Sequence, residues 1–136
     1  MSTGSELTWI EGIRTLLQQG AFAEAVVRTE QALAEPGNEK NGRLTQLHGL
    51  TLYVNGDHEE ARAEFESALL LSPLTSESFL ALADLYIKND QQEDARVSLN
   101  ILVEDVDTVP PELFPRIAGL LGRIGETRKA LFICYR

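Results

Sequence analysis

Residues 49–73 read GLTLYVNGDHEEARAEFESALLLSP, and this stretch decides the fold. A turn residue, Gly56, is followed five positions later by Ala61 inside an amphipathic run. The same two positions recur along the chain as Gly20 with Ala25, Asp90 with Ala95, and Gly125 with Ala130. The alanines are 36, 34 and 35 residues apart. Such a period is typical of a helix–turn–helix solenoid, whose units build a recognition surface, so it favours binding over catalysis.

Helical periodicity runs through almost the whole chain and predicts an all-α fold. Apolar residues recur every three or four positions, whereas β-branched residues are few and never alternate over a useful length. Turn residues separate the runs into seven or eight helices, paired antiparallel in four units. The predicted units are approximately residues 6–37, 42–74, 76–108 and 111–136, with the last short enough to be incomplete. No Pro-rich or Ser-rich linker divides them, so the prediction is a single domain over residues 1–136.

Helix starts are marked by short polar residues. Asp57 followed by Glu60, and Asp90 followed by Glu93, match the spacing of a capping box, with Asp in the place of Ser or Thr. Thr75 or the serine after it is expected to be the N-cap of the third unit.

The chain is acidic, with a net charge of −9. This charge argues against nucleic-acid binding, which needs a basic surface to replace phosphate counterions. The distribution is uneven, because residues 116–136 contain five basic residues and one acidic residue, a net charge of +4. Two interpretations remain open: a solvated basic face, or an end that docks on something acidic.

Targeting signals are not evident in the sequence. The first residues, MSTGSELTWIEG, have neither a basic nor an apolar region of a signal peptide, and no run approaches 18 apolar residues. Cys134 is the only cysteine, so it has no partner for an internal disulfide. The prediction is a cytoplasmic protein.

The second unit carries a known repeat pattern, W-x2-L-G-x2-Y followed by A-x3-F and P. It shows Gly49, Leu52, Ala61, Phe65 and Pro73 at the matching spacing. The other units keep parts of the pattern: Trp9, Leu16 and Ala25; Phe79, Leu82, Ala83, Tyr86 and Ala95; Phe114, Ile117, Ala118, Leu121 and Ala130. The chain therefore resembles the tetratricopeptide repeat family over nearly its whole length, with about four repeats. Thr29, Leu99 and Cys134 stand where a second aromatic is expected.

The resemblance implies a right-handed superhelical solenoid of antiparallel helix pairs, with a concave groove lined by the first helix of each unit. Carried over by register, the partner-binding groove would include Arg14, Arg43, Leu47, Leu50, Tyr53, Leu80, Asp84 and Ile87. The basic and amide residues with which some members clamp acidic tails are replaced here, for example by Ile10, Leu47 and Ala81. An apolar groove centre remains, suited to a helix or a hydrophobic peptide with anchors at i and i+4. The alternative is that some of these leucines are core residues.

Catalytic and metal-binding patterns are not found in the sequence. No phosphate-binding loop, nucleophile elbow or paired-histidine zinc motif is present. His48 and His58 are ten residues apart on different predicted helices, and Cys134 lies in a distant unit. The expectation is that the chain is not an enzyme and uses no cofactor and no metal.

The leading functional hypothesis is a non-catalytic protein–protein interaction module, an adaptor or scaffold that holds a partner peptide or helix in an apolar groove. Two alternatives stay open: a dedicated chaperone for secretion or assembly subunits, and the N-terminal fragment of a longer repeat protein. The last predicted helix ends in apolar residues, which form a self-association end of Leu131, Phe132, Ile133 and Tyr135. With the charge split, they predict a homodimer through the C-terminal end. No membrane or nucleic-acid partner is expected.

Overall fold

The computed structural model describes the backbone of residues 3–135 and the side chains of residues 7–135. Within this range the chain forms eight α-helices and no strand, which confirms the all-α prediction. The helices are α1 (Thr3–Gln18), α2 (Phe22–Ala34), α3 (Gly42–Val54), α4 (His58–Leu69), α5 (Ser76–Lys88), α6 (Gln92–Glu104), α7 (Phe114–Arg123) and α8 (Thr127–Cys134). Two short 3₁₀ helices, Val106–Thr108 and Pro111–Leu113, lie between α6 and α7. None of the described helices is long and apolar enough to cross a bilayer.

Four reversals of the same design join the helices into pairs. At each one a residue with positive φ follows the first helix: Gly20 (77°), Gly56 (91°), Asp90 (61°) and Gly125 (83°). Its N–H donates to the carbonyl three residues back at 3.1–3.2 Å. The next N–H donates to the carbonyl five residues back at 2.7–2.9 Å. These are the two bonds of a Schellman motif, which satisfies carbonyls left unpaired at a helix end.

Each reversal also starts the second helix of its pair. The residue after the positive-φ position accepts a hydrogen bond from the N–H of the repeated alanine at 2.9–3.0 Å, in all four turns. The two helices of each pair are in contact: α1 with α2, α3 with α4, α5 with α6, and α7 with α8. The turn residues and the alanines that the sequence places in register therefore make the same backbone hydrogen bonds in every pair.

The capping-box prediction is wrong at both positions. Asp57 does precede α4, but its carboxylate accepts from Asn55 Nδ2 at 2.9 Å and caps no backbone N–H. Asp90 is the positive-φ residue of its turn, and Gln91 precedes α6. In both turns the residue just before the second helix has a ψ near 66°. A side chain that caps a helix N-terminus typically belongs to a residue with extended backbone, which the reversal does not allow here. Where the backbone is extended, at Thr75, the hydroxyl accepts from Ser78 N–H as expected.

The chain divides into two compact units, one ending at Leu74 and the other beginning at Thr75. In the first unit, the small Gly49 lets α3 and α4 approach closely, because a Cβ there would lie 2.8 Å from Phe65 Cε1. Thr29, which stands where an aromatic is expected, is fully buried and bonds the carbonyl of Val26 at 2.8 Å. Its hydroxyl lies 3.3 Å from that of Thr51 on α3, so this polar pair is satisfied inside the core.

The second unit contains one continuous apolar core. Its buried members come from α5, α6, α7, α8 and the loop before α7. Leu99, Ile117 and Leu121 are fully buried there, and Ala95 on α6 is also fully buried. The fourth pair opens with a 3₁₀ turn at Pro111, and α7 begins only at Phe114. Proline suits the first position of either helix type, because its missing N–H would be unpaired there.

Candidate partner-binding faces

The repeated turns define equivalent positions on the first helix of each pair. Counting back six residues from the positive-φ position reaches Arg14, Leu50, Asp84 and Gly119, and counting back three reaches Leu17, Tyr53, Ile87 and Gly122. Residues three apart lie on one face of a helix. We call these eight equivalent positions, four in each of the two compact units, the first-helix face. It contains five of the eight residues predicted to line a groove.

In the first unit, the first-helix face combines apolar and basic side chains. Leu50 and Tyr53 on α3 are half-buried, and Arg14 on α1 is exposed. Arg43, one helical turn before the buried Leu47, is also exposed. The Tyr53 ring lies 6.0 Å from the ring of His58 at the start of α4. The accessible part of this face therefore offers an aromatic and an aliphatic side chain, with guanidinium groups on the same two helices.

In the second unit, the first-helix face is built around a nearly buried carboxylate. Asp84 Oδ2 lies 3.1 Å from Lys88 Nζ on the same helix, and Oδ1 lies 3.7 Å from Arg123 Nη1 on α7. Two cations around one carboxylate leave a local charge of +1. Ile87, half-buried, is one residue from Lys88 on this helix. Arg123 thus ties the two first helices of this unit together while keeping half of its surface in solvent.

Two glycines leave the α7 part of this face without side chains. Gly119 and Gly122 are exposed, and a Cβ at either position would meet nothing within 4 Å. Both lie within α7, and neither has a positive φ. Glycine inside a helix costs about 0.5–1 kcal/mol of stability relative to alanine. Because alanine would fit at both positions without a clash, packing within the described residues does not account for either glycine.

Besides Asp84, which is 9% exposed, three apolar residues predicted to be accessible are buried. Leu47 lies in the core of the first unit, and Leu80 and Ile133 lie in the core of the second. Leu80 is fully buried because α5 is buried at every position from Leu80 to Tyr86, so its apolar surface is wider than one stripe. Ile133 is the one position of its run that turns toward the core, since Leu131, Phe132 and Tyr135 are exposed. These corrections remove the three residues from the accessible surface.

An ion network joins the third and fourth pairs within the second unit. Arg96 Nε donates to Glu126 Oε2 at 2.6 Å, and another nitrogen of the same guanidinium donates to Glu93. The hydrogen bond from Arg96 lowers the pKa of Glu126 below its usual value, with a further contribution from Lys129. The hydrogen bond to Glu93, followed by the one to Glu126, raises the pKa of Arg96. Lys129 Nζ also donates to Asn100 Oδ1 at 2.6 Å, so the network holds α8 against α6.

His48 is a packing residue of the first unit. Its Nδ1 lies 2.7 Å from Glu64 Oε2 on α4, and its Nε2 lies 3.6 Å from Glu30 Oε2 on α2. The imidazole therefore links α3 to α4 through Nδ1, whereas Nε2 is buried without a hydrogen-bond partner among the described residues. His58 instead stacks near Tyr53, and Cys134 is exposed at the end of α8. Among the described residues, no group of three or more potential ligands is placed to hold a metal ion.

The sequence pattern places Asp84 on a predicted first helix, but it does not pair this carboxylate with Arg123, and it does not single out Gly119 and Gly122. The repeated turns could have pointed to all four residues, because each lies two, three or six residues before a positive-φ position. No protein-family model and no curated protein matches the chain.

Proposed function

We propose that this chain is a non-catalytic protein-interaction module of the tetratricopeptide repeat type. In this proposal its helix pairs stack into a right-handed superhelix, and a peptide or helix of another protein lies across the first-helix face. The chain would act as an adaptor or scaffold in the cytoplasm.

The observation that carries the proposal is the fourfold repetition of one reversal. Four helix pairs share the two capping bonds, a residue with positive φ and the alanine five positions after it, and this repetition supports a repeat array. Repeat arrays stack neighbouring units and present extended binding surfaces. In a chain built this way, the binding surface lies on the faces of the helices and not in loops gathered around one cavity.

The chemistry of the first-helix face supports a protein ligand. Leu50, Tyr53 and Ile87 are half-buried, so each contributes apolar surface that a partner can cover. Gly119 and Gly122 leave room on α7 for a partner to approach the backbone closely. Asp84 positions the cations of Lys88 and Arg123, which would form the polar edge of the interface with the partner.

Capture of partners from the native cell, with quantitative mass spectrometry, tests the proposal. The bait is the full chain, compared with a variant that carries both Leu50→Asp and Ile87→Asp. The matched control is Val97→Asp on the outer side of α6, where valine is exposed. We expect the double variant to lose the specific partner and Val97→Asp to retain it, because a buried aspartate leaves an unpaired charge in the contact.

Circular dichroism first establishes that both variants remain folded. Equal recovery of the same partner by all three baits would contradict the proposal. A partner whose level in the cell collapses when this chain is removed would assign the module the role of a dedicated chaperone. A partner that is stable alone would assign it the role of an adaptor.

A further inference from the structure

The outer side of α8 is apolar at its end and basic at its start. Leu131, Phe132 and Tyr135 are exposed by 51%, 47% and 86%, although Ile133 between them is buried. Arg128 lies one turn before Leu131 and Phe132 on the same side of the helix and is exposed. We call Arg128, Leu131, Phe132 and Tyr135 the α8 face. Large apolar side chains grouped in this way mark a contact surface more often than scattered ones do.

The outer side of α4, in the first unit, has the same layout with the opposite charge. Glu59 and Glu60 are exposed in its first turn, and Ala63 follows on the same side. Its end continues into Leu69, Leu70 and Leu71, of which Leu70 is exposed by 89%. We call Glu59, Glu60, Ala63 and Leu70 the α4 face. It presents carboxylates at the start of the helix and apolar surface at the end.

We infer that the α8 face of one copy of this chain binds the α4 face of a second copy. Opposite charges at the helix starts and apolar surface at the helix ends make the two faces complementary along their length. Each copy carries both faces, so each can donate one contact and accept another. The inference is independent of the proposed function, because it uses the second helices and not the first-helix face.

The charges favour this pairing over a contact between two α8 faces. The charged residues of α8, Arg128 and Lys129, carry +2, whereas the five charged residues of α4 carry −3. Two α8 faces in contact would bring like charges together in a partly desolvated site, which is unfavourable. An α8 face on an α4 face brings unlike charges together, and added salt should weaken it.

Sedimentation equilibrium at low salt tests the inference with two charge reversals, Arg128→Glu and Glu60→Arg. Both side chains are exposed, and glutamate in the first turn of α8 suits the helix dipole, so Arg128→Glu is expected to leave the fold intact. We expect the wild type to self-associate and each variant alone to do so at least about tenfold more weakly. We expect an equimolar mixture of the two variants to recover most of the wild-type affinity, since the two reversed side chains then face each other with opposite charges.

Each of the following results would overturn the inference. The wild type could remain at 15.1 kDa at high micromolar concentration. Arg128→Glu could abolish association while Glu60→Arg does nothing, which would place the contact between two α8 faces. The mixture could associate no better than its components. Leu70→Ser tests the apolar end of the α4 face, and Val27→Ser, at an exposed valine on α2, is its control. An equal effect of the two changes on self-association would also contradict the inference.

Discussion

At the scale of single residues, small side chains decide how closely the helices of a pair approach. Gly49 and Gly119 show the difference between a glycine that packing requires and one that it does not. The first faces the ring of Phe65, which is itself fully buried, and the second faces open space. Both lie inside helices with ordinary helical backbone, so the same substitution has opposite consequences at the two positions.

Gly49→Ala should lower the free energy of unfolding by about 1–3 kcal/mol, because the added methyl group forces the Phe65 ring and α4 outward. Gly119→Ala should raise it by about 0.5–1 kcal/mol through helix propensity alone. Urea denaturation of both variants measures the difference. If Gly49→Ala were as stable as the wild type, the close approach of α3 and α4 would be wrong.

The positive-φ positions give a second residue-scale prediction. Three of the four reversals have glycine at this position, and the other has Asp90, which adopts a φ of 61°. We expect Gly56→Ala to lower the free energy of unfolding by about 1 kcal/mol or more, because Cβ disfavours the left-handed region. Asp90→Gly removes that strain and should not destabilise. Equal urea midpoints for Gly56→Ala and the wild type would contradict the shared turn geometry.

At the scale of elements, α8 is held by charges as well as by its core residue Ile133. The carboxylate of Glu126 immediately precedes α8 and binds Arg96 on α6, so the folded state favours its ionised form. Its lowered pKa contributes stability that is present above the unfolded pKa and is lost as pH falls through the folded pKa.

Glu126→Gln should therefore be less stable than the wild type at pH 7, and the difference should shrink as pH falls below about 4. Urea denaturation at a series of pH values measures this convergence. Glu112→Gln, an exposed carboxylate before α7, is the control. A difference between Glu126→Gln and the wild type that stays constant down to acid pH would show that ionisation of Glu126 does not contribute.

At the scale of the whole molecule, the repeat could be predicted from sequence because it depends on local chemistry. A residue that tolerates positive φ, followed five positions later by alanine, is visible in one dimension. The side of a helix that a leucine occupies is not local, and this is why Leu47 and Leu80 were assigned to a groove although both are core residues. The capping boxes failed for a related reason, since the Schellman turn before each second helix sets the backbone in a way that spacing alone does not reveal.

The most direct test of the central claim is photo-crosslinking in the native cell from a benzophenone amino acid placed at one position at a time. Tyr53 is the probe site, because it is an accessible aromatic of the first-helix face, and Val97 on α6 is the comparison site. We expect light to produce a discrete adduct with another protein from position 53 and none of that mass from position 97. The same adduct from both positions, or an adduct from position 97 alone, would contradict binding through the first-helix face.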